Sequence, residues 1–139
     1  MKGRADPRGR QRGAAAVEFA LVFPLLLMLV VGVIDWGWYF FIDQLVTNSA
    51  REGARAGTLL PPLPANAGAA TGAAHDAAIA FLKAANLNPP DQYVVASYTT
   101  IGTTDAIQVV VTYPVGSLTG LMSSLVPANA HAVAVMRWQ

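Results

Sequence analysis

From Phe19 to Ile34 the chain carries no charged residue, and apolar character resumes beyond Asp35 as far as Ile42. A helix that crosses a bilayer needs roughly 20 mainly apolar residues, rising about 1.5 Å each. The window from Ala14 to Ile34 meets that length. Composition points the same way: 54% of residues are hydrophobic and 12% charged, against about 25% charged in a typical soluble domain. Trp36, Trp38 and Tyr39 stand at the far end of the run beside Asp35. Indole and phenol rings favour the headgroup layer, so this cluster marks the outer interface. Pro24 lies inside the run, removes a backbone donor and frees the carbonyl of Ala20, which predicts a kink or local loosening there.

Charge is distributed unevenly about this segment. The first thirteen residues, MKGRADPRGRQRG, hold Lys2, Arg4, Arg8, Arg10 and Arg12 against Asp6 alone, a net +4, and the remainder carries −3. A basic arm of this kind can bind nucleic acid. Here it abuts an apolar run, and the simpler reading is topological, with no nucleic-acid partner. Positive flanks of a membrane helix stay cytoplasmic. The expectation is a single-pass protein of the cytoplasmic (inner) membrane, its N-terminus inside and everything after the helix outside. An ordinary secretory signal peptide fits poorly, because its apolar region runs to about 7–15 residues and ends in small residues. This run is longer and ends in aromatics, and its small residues, GAAA, precede it.

Glu18 places a carboxylate at the entrance to the apolar run, where desolvation is costly unless the group lies shallow or has a partner. A basic leader, then Gly13, then four small or apolar residues, then Glu18-Phe19, then an apolar helix resembles the processing site of type IV prepilins. With TNSAREGARAG downstream, the stretch from Gly13 to about Gly57 is similar to the TadE-like pseudopilins, minor pilins of the tight-adherence (Flp) pilus system. The resemblance implies a cut by a prepilin peptidase between Gly13 and Ala14, leaving Glu18 as the fifth residue of the mature chain. It further implies partners among other pilin and pseudopilin subunits, the pilus assembly platform and the lipid bilayer. A free amine on Ala14 at a helix N-terminus would be complemented by a carboxylate one turn in. Glu18 would pair with that amine in its own chain or in a neighbour, and the alternative is an interfacial side chain reaching back to water.

Beyond the bilayer, IDQLVTNSAREGARAG continues the helix, with Ser49, Gly53 and Gly57 recurring every four residues. Small residues at that spacing admit a close helix neighbour. Arg51 and Arg55 lie one turn apart, and Glu52 can offset Arg55 at i,i+3. Two readings stand side by side: a solvated, salt-bridged helix end, or a packing face for neighbouring pilins whose arginines reach lipid headgroups or partner carboxylates.

The remaining chain divides into a spacer over residues 58–70, stiffened by Pro61, Pro62 and Pro64, and a domain over 71–139. A helix with Ala74, Ala77, Ala78, Phe81, Leu82 and Ala85 on one stripe ends at Asn86, Asn88 and Pro89. Three strands follow. In the second, Ile107, Val109, Val111 and Tyr113 alternate with Ala106, Gln108, Val110 and Thr112, the period of a half-buried strand. The first two strands form an antiparallel hairpin turning at Gly102, with Asp105 serving the turn, and the third joins by a longer connection. The fold class is therefore α+β: a basic leader over 1–13, a long N-terminal helix over 14–57, then a small outer domain of one helix and three strands. A core of about seventy residues is marginal alone, and neighbouring subunits are an expected source of stability.

No catalytic constellation is legible, and the chain is not expected to be an enzyme or to hold a cofactor. It has no cysteine, and His75 and His131 lack metal-ligand spacing. There is no G-x-S-x-G, H-E-x-x-H or phosphate-cradling glycine loop. The function expected is that of a structural minor pilin. The alternative is an unassembled membrane-anchored protein whose outer domain binds an envelope ligand.

Overall fold

The computed structural model describes residues 7–61 and 66–138. Lys2, Arg4 and Asp6 of the leader, Pro62 and Pro64 of the spacer, and the terminal Gln139 lie outside the described residues. Helix α1 spans Pro7–Gly57 and runs through Pro24 without interruption. Its 51 residues extend roughly 75 Å at about 1.5 Å per residue. Residues 13–30 are exposed on all sides, and α1 is long and apolar enough to cross a membrane. Farther along, Asp35, Ile42, Val46, Ser49, Ala50, Gly53, Ala54 and Gly57 are buried. Their spacing of three and four residues puts them on a single stripe.

That stripe faces helix α2, Ala67–Ala84, and a three-stranded sheet. Strands β1 (Val94–Ile101), β2 (Thr104–Pro114) and β3 (Asn129–Arg137) are antiparallel in the order β1-β2-β3. One row of the register joins Val95, Val110 and Val133. Both helices pack on one face of the sheet, α1 against β2 and β3, and α2 against β1 and β2. Ile42, Val46, Leu82, Ile107, Val109 and Val111 are closed from water between the layers.

The α+β class, the long N-terminal helix and the three antiparallel strands agree with the sequence. Three details differ. The core is not confined to 71–139, because Ile42, Val46, Ala50 and Ala54 on the distal part of α1 belong to it. Burying α1 against the sheet provides the apolar area that one alanine-rich helix lacks, since alanine covers little surface. Second, α2 begins at Ala67, inside the stretch expected to be spacer. Alanine is the strongest helix former, and Ala70 is buried beside Gly57. Third, Asp105 sits in the ladder opposite Thr100, and its carbonyl accepts the Trp138 amide at 3.1 Å. The turn is made by Gly102 and Thr103, with φ +66° at Gly102, a value that glycine adopts without steric cost.

Helix α2 ends in a Schellman motif. Asn86 takes φ +61°. Its amide donates to the carbonyl of Lys83 and that of Leu87 to Leu82, both at 2.9 Å. Of the expected α2 stripe, Ala74, Ala78 and Leu82 are buried and Ala77, Phe81 and Ala85 half-buried, and Ile79 joins the core.

Candidate functional site

The residues singled out in the sequence fall into two regions of α1. Gly13, Ala14, Glu18 and Phe19 are all exposed on the N-terminal part of the helix. A Cβ at Gly13 would meet no atom within 4 Å. Phe19 and Phe23 lie with ring centroids 5.3 Å apart. Their exposure leaves this part of the chain open to lipid, to a peptidase or to another subunit.

Ser49, Gly53 and Gly57 are all buried, and the two glycines face α2 of the same chain. A Cβ added at Gly53 would stand 2.6 Å from the Ala74 carbonyl oxygen and 3.0 Å from the Ala78 Cβ. At Gly57 it would meet the Ala70 carbonyl oxygen and the Ala74 Cβ, both at 3.0 Å. As α1 advances from Gly53 to Gly57, its contacts on α2 retreat, so the pair is antiparallel. Ser49 is fully buried and donates its hydroxyl to the Val46 carbonyl at 2.8 Å. The small-residue face is thus filled within the chain rather than left open to a neighbouring pilin. Helix α2 carries alanines at the matching spacing, and glycine opposite alanine lets two backbones approach closely. Arg51 and Arg55 point outward. Arg55 grips Glu52 through two hydrogen bonds, Nε to Oε2 at 3.2 Å and Nη2 to Oε1 at 3.1 Å, the i,i+3 pair anticipated from spacing.

The sequence reading did not single out Asp35 as a site residue. Asp35 is fully buried, yet it has no basic partner among the described residues. Instead the connection between β2 and β3, residues 115–128, brings three donors to it. Ser117 Oγ and Thr119 Oγ1 each donate at 2.7 Å to Oδ2, and the Thr119 amide donates at 2.9 Å to Oδ1. The hydroxyl oxygens accept in turn, Ser117 Oγ from the Gly120 amide at 2.8 Å and Thr119 Oγ1 from the Leu121 amide at 3.3 Å. The carboxylate therefore organises a small loop through its acceptor capacity alone, which suits an ionised acid. At its base the connection closes through the Val115 amide and the Ala128 carbonyl at 2.8 Å.

Two signals in the sequence pointed here. Asp35 is an acid on the same helical stripe as Ile42 and Val46, and Ser117 and Thr119 stand between Gly116 and Gly120. Next to this node, Trp36 lies with its ring centroid 5.9 Å from Tyr39 and 5.6 Å from Phe40. Below it, Leu121 and Met122 line an apolar groove together with Pro24, Leu27, Met28 and Val31.

Residues 13–55 match the family model described as TadE-like protein. Over that segment the chain is similar to the TadE-like family. No curated protein and no solved structure matches the chain. The TadE-like segment starts at Gly13 and takes in Glu18, Phe19, Pro24, Asp35, Ser49, Arg51, Gly53 and Arg55. It therefore joins the exposed N-terminal region of α1 to the buried stripe that carries the domain. Ser117 and Thr119, the partners of Asp35, lie outside it.

Proposed function

We propose that this chain is a structural subunit associated with a tight-adherence (Flp) pilus, a minor pilin or pseudopilin cut by a prepilin peptidase after Gly13. The observation that carries the reading is that the TadE-like segment begins at Gly13, where Glu18-Phe19 follows on an exposed, apolar helix. In this reading α1 is anchored in the cytoplasmic membrane before assembly and bundles with other pilin helices afterwards. The distal half of α1 cannot bundle in the same way on its small-residue side, because α2 occupies it. Assembly contacts therefore belong to the exposed N-terminal part of the helix and to the outer surface of the domain.

After cleavage, Ala14 would carry a cationic amine at the head of the helix. Glu18, one turn on, complements both that amine and the positive end of the helix dipole. In a bundle with little water, pairing lowers the cost that each charge would bear alone. Arg51 lies roughly 25 Å beyond Ile34 at about 1.5 Å per residue, whereas each headgroup layer is only about 5–8 Å thick. On this reading Arg51 lies beyond lipid and faces either solvent or a partner carboxylate.

Intact-mass spectrometry of protein purified from its own membranes tests the reading. The expected mass is that of a chain starting at Ala14, and Gly13→Leu is expected to restore the full-length mass. Because nothing surrounds a Cβ at position 13, that substitution leaves the fold intact. Full-length wild-type chain in cells that contain the peptidase would favour an unassembled membrane anchor instead.

A further inference from the structure

The connection between β2 and β3 is long, uncharged and apolar at its tip. No Asp, Glu, Lys or Arg occurs between Asp105 and Arg137. Leu118, Leu121 and Leu125 are 59%, 70% and 65% exposed, values unusual for three leucines within eight residues of one loop. Ser117 and Thr119 tie the loop to α1 through Asp35. The loop turns back along α1, so that Leu121 and Met122 line an apolar groove together with Pro24, Leu27, Met28 and Val31. Those four residues belong to the apolar run. Val31 and Pro24 stand roughly 6 Å and 16 Å before Asp35 along the helix at about 1.5 Å per residue. Half of a hydrocarbon core is about 15 Å.

Irregular backbone enters a bilayer only when its polar groups are satisfied from within or covered by protein. Here several amides already have partners inside the loop or on α1. Thr119 donates to Asp35, Gly120 to Ser117 Oγ, Leu121 to Thr119 Oγ1, and Leu125 and Val126 to the Met122 carbonyl. The acid at the head of the loop is sealed from solvent by its donors. Exposed leucines, an absence of charge, internally bonded amides and a groove shared with the apolar run all suit one surrounding, the acyl chains of lipid.

We propose that the β2–β3 loop is a second membrane-contact element, in which Leu118, Leu121 and Leu125 enter the leaflet on the domain's side while Asp35 holds the loop against α1. The inference rests on the reading that Ala14–Ile34 crosses a bilayer. Its consequence is that the domain is fixed to the membrane at two points. The loop must leave the lipid together with the helix when the subunit is withdrawn.

The chain has no cysteine, so single-cysteine variants carrying a nitroxide report local surroundings directly. Full-length protein is reconstituted in phosphatidylcholine vesicles, and collisions of the label with oxygen and with a water-soluble nickel chelate are compared. Leu25→Cys marks the span and Leu59→Cys the aqueous side, and Leu121→Cys and Leu125→Cys mark the loop. The expected result is oxygen-dominated collision at 25, 121 and 125, and nickel-dominated collision at 59. Nickel-dominated collision at 121 and 125 with position 25 in lipid would overturn the inference and leave the spanning helix standing. Nickel access at position 25 would overturn both. Shielding from both reagents at 121, with spin–spin broadening, would place a second copy of the chain on the loop in place of lipid. Adding Asp35→Ala to the Leu121→Cys chain is expected to shift that label to the nickel-dominated class. Unchanged lipid contact there would overturn the role given to Asp35.

Discussion

Thr119 donates two hydrogen bonds to Asp35, from its amide at 2.9 Å and from its hydroxyl at 2.7 Å, across 84 residues of sequence. Each hydroxyl that points at the carboxylate also caps a loop amide, so the acid controls the loop at one remove. Asp35→Ala leaves those donors without their acceptor. The expected outcome is release of residues 116–126 from α1 with the remaining core intact. Hydrogen exchange of full-length protein in detergent checks this: exchange rises in the loop and is unchanged in β2. Asp35→Asn is milder, because Oδ1 still accepts the Thr119 amide and the hydroxyls can rotate to accept from the new amide. Thr119→Val falls between the two.

Gly53→Ala is expected to be destabilising despite alanine's better helix propensity. The new methyl stands 2.6 Å from a backbone oxygen of α2, and that oxygen cannot move without shifting the helix. Overpacking costs about 1–3 kcal/mol, against about 1 kcal/mol gained from replacing glycine inside a helix. Gly57→Ala, whose nearest contacts are at 3.0 Å, is expected to cost less. Thermal unfolding of the two variants in one detergent gives the order, and a Gly53→Ala protein as stable as wild type would contradict the close helix contact.

Glu18→Ala is expected to insert into membranes at least as well as wild type, since a carboxylate is removed from the edge of the hydrocarbon. On the proposed cleavage after Gly13, what it loses is the partner of the Ala14 amine. Cleavage, membrane level and co-purification with other pilins are compared for Glu18→Ala, Glu18→Gln and Glu18→Asp. With charge pairing, Asp keeps part of the co-purification while Gln and Ala, cleaved normally, lose it. Wild-type co-purification of the cleaved Ala variant would leave Glu18 as an interfacial side chain only.

Topology follows from the basic leader. A reporter active only outside the cytoplasm, fused after Gln139, is expected to be active, and a cytoplasmic reporter at the same position to be silent. The reverse pattern would invert the orientation drawn from positive flanking charge.

Tyr98 predicts an alkaline limit to stability. Its hydrogen bond to Asp105, then partial burial, then the Asp105 charge hold the phenol above its ordinary value of 10.0. The folded state thus favours the neutral ring. That contribution is complete below the ordinary value and is lost as pH rises through the folded one. Unfolding midpoints measured upward from pH 9 are expected to fall above about pH 10, and Tyr98→Phe to flatten that decline.

The sequence by itself determined whatever depends on neighbours along the chain. The uncharged run from Phe19, the alternation of Ile107, Val109 and Val111, the glycine turn at 102 and the Gly13–Glu18-Phe19 pattern are all local signals. Periodicity and composition suffice to read them. Helical spacing also showed that Ser49, Gly53 and Gly57 share a face, but spacing names a face and not what covers it. Only the tertiary structure put α2 there, because Ala70, Ala74 and Ala78 offer a complementary surface that the sequence could not rank above a neighbouring subunit. The same holds for Asp35. Its cost of burial was legible as an acid on an apolar stripe, but the groups that offset it come from a loop 82 and 84 residues away. Pairings at that separation are selected by how the whole sheet docks on α1, and no local rule encodes them.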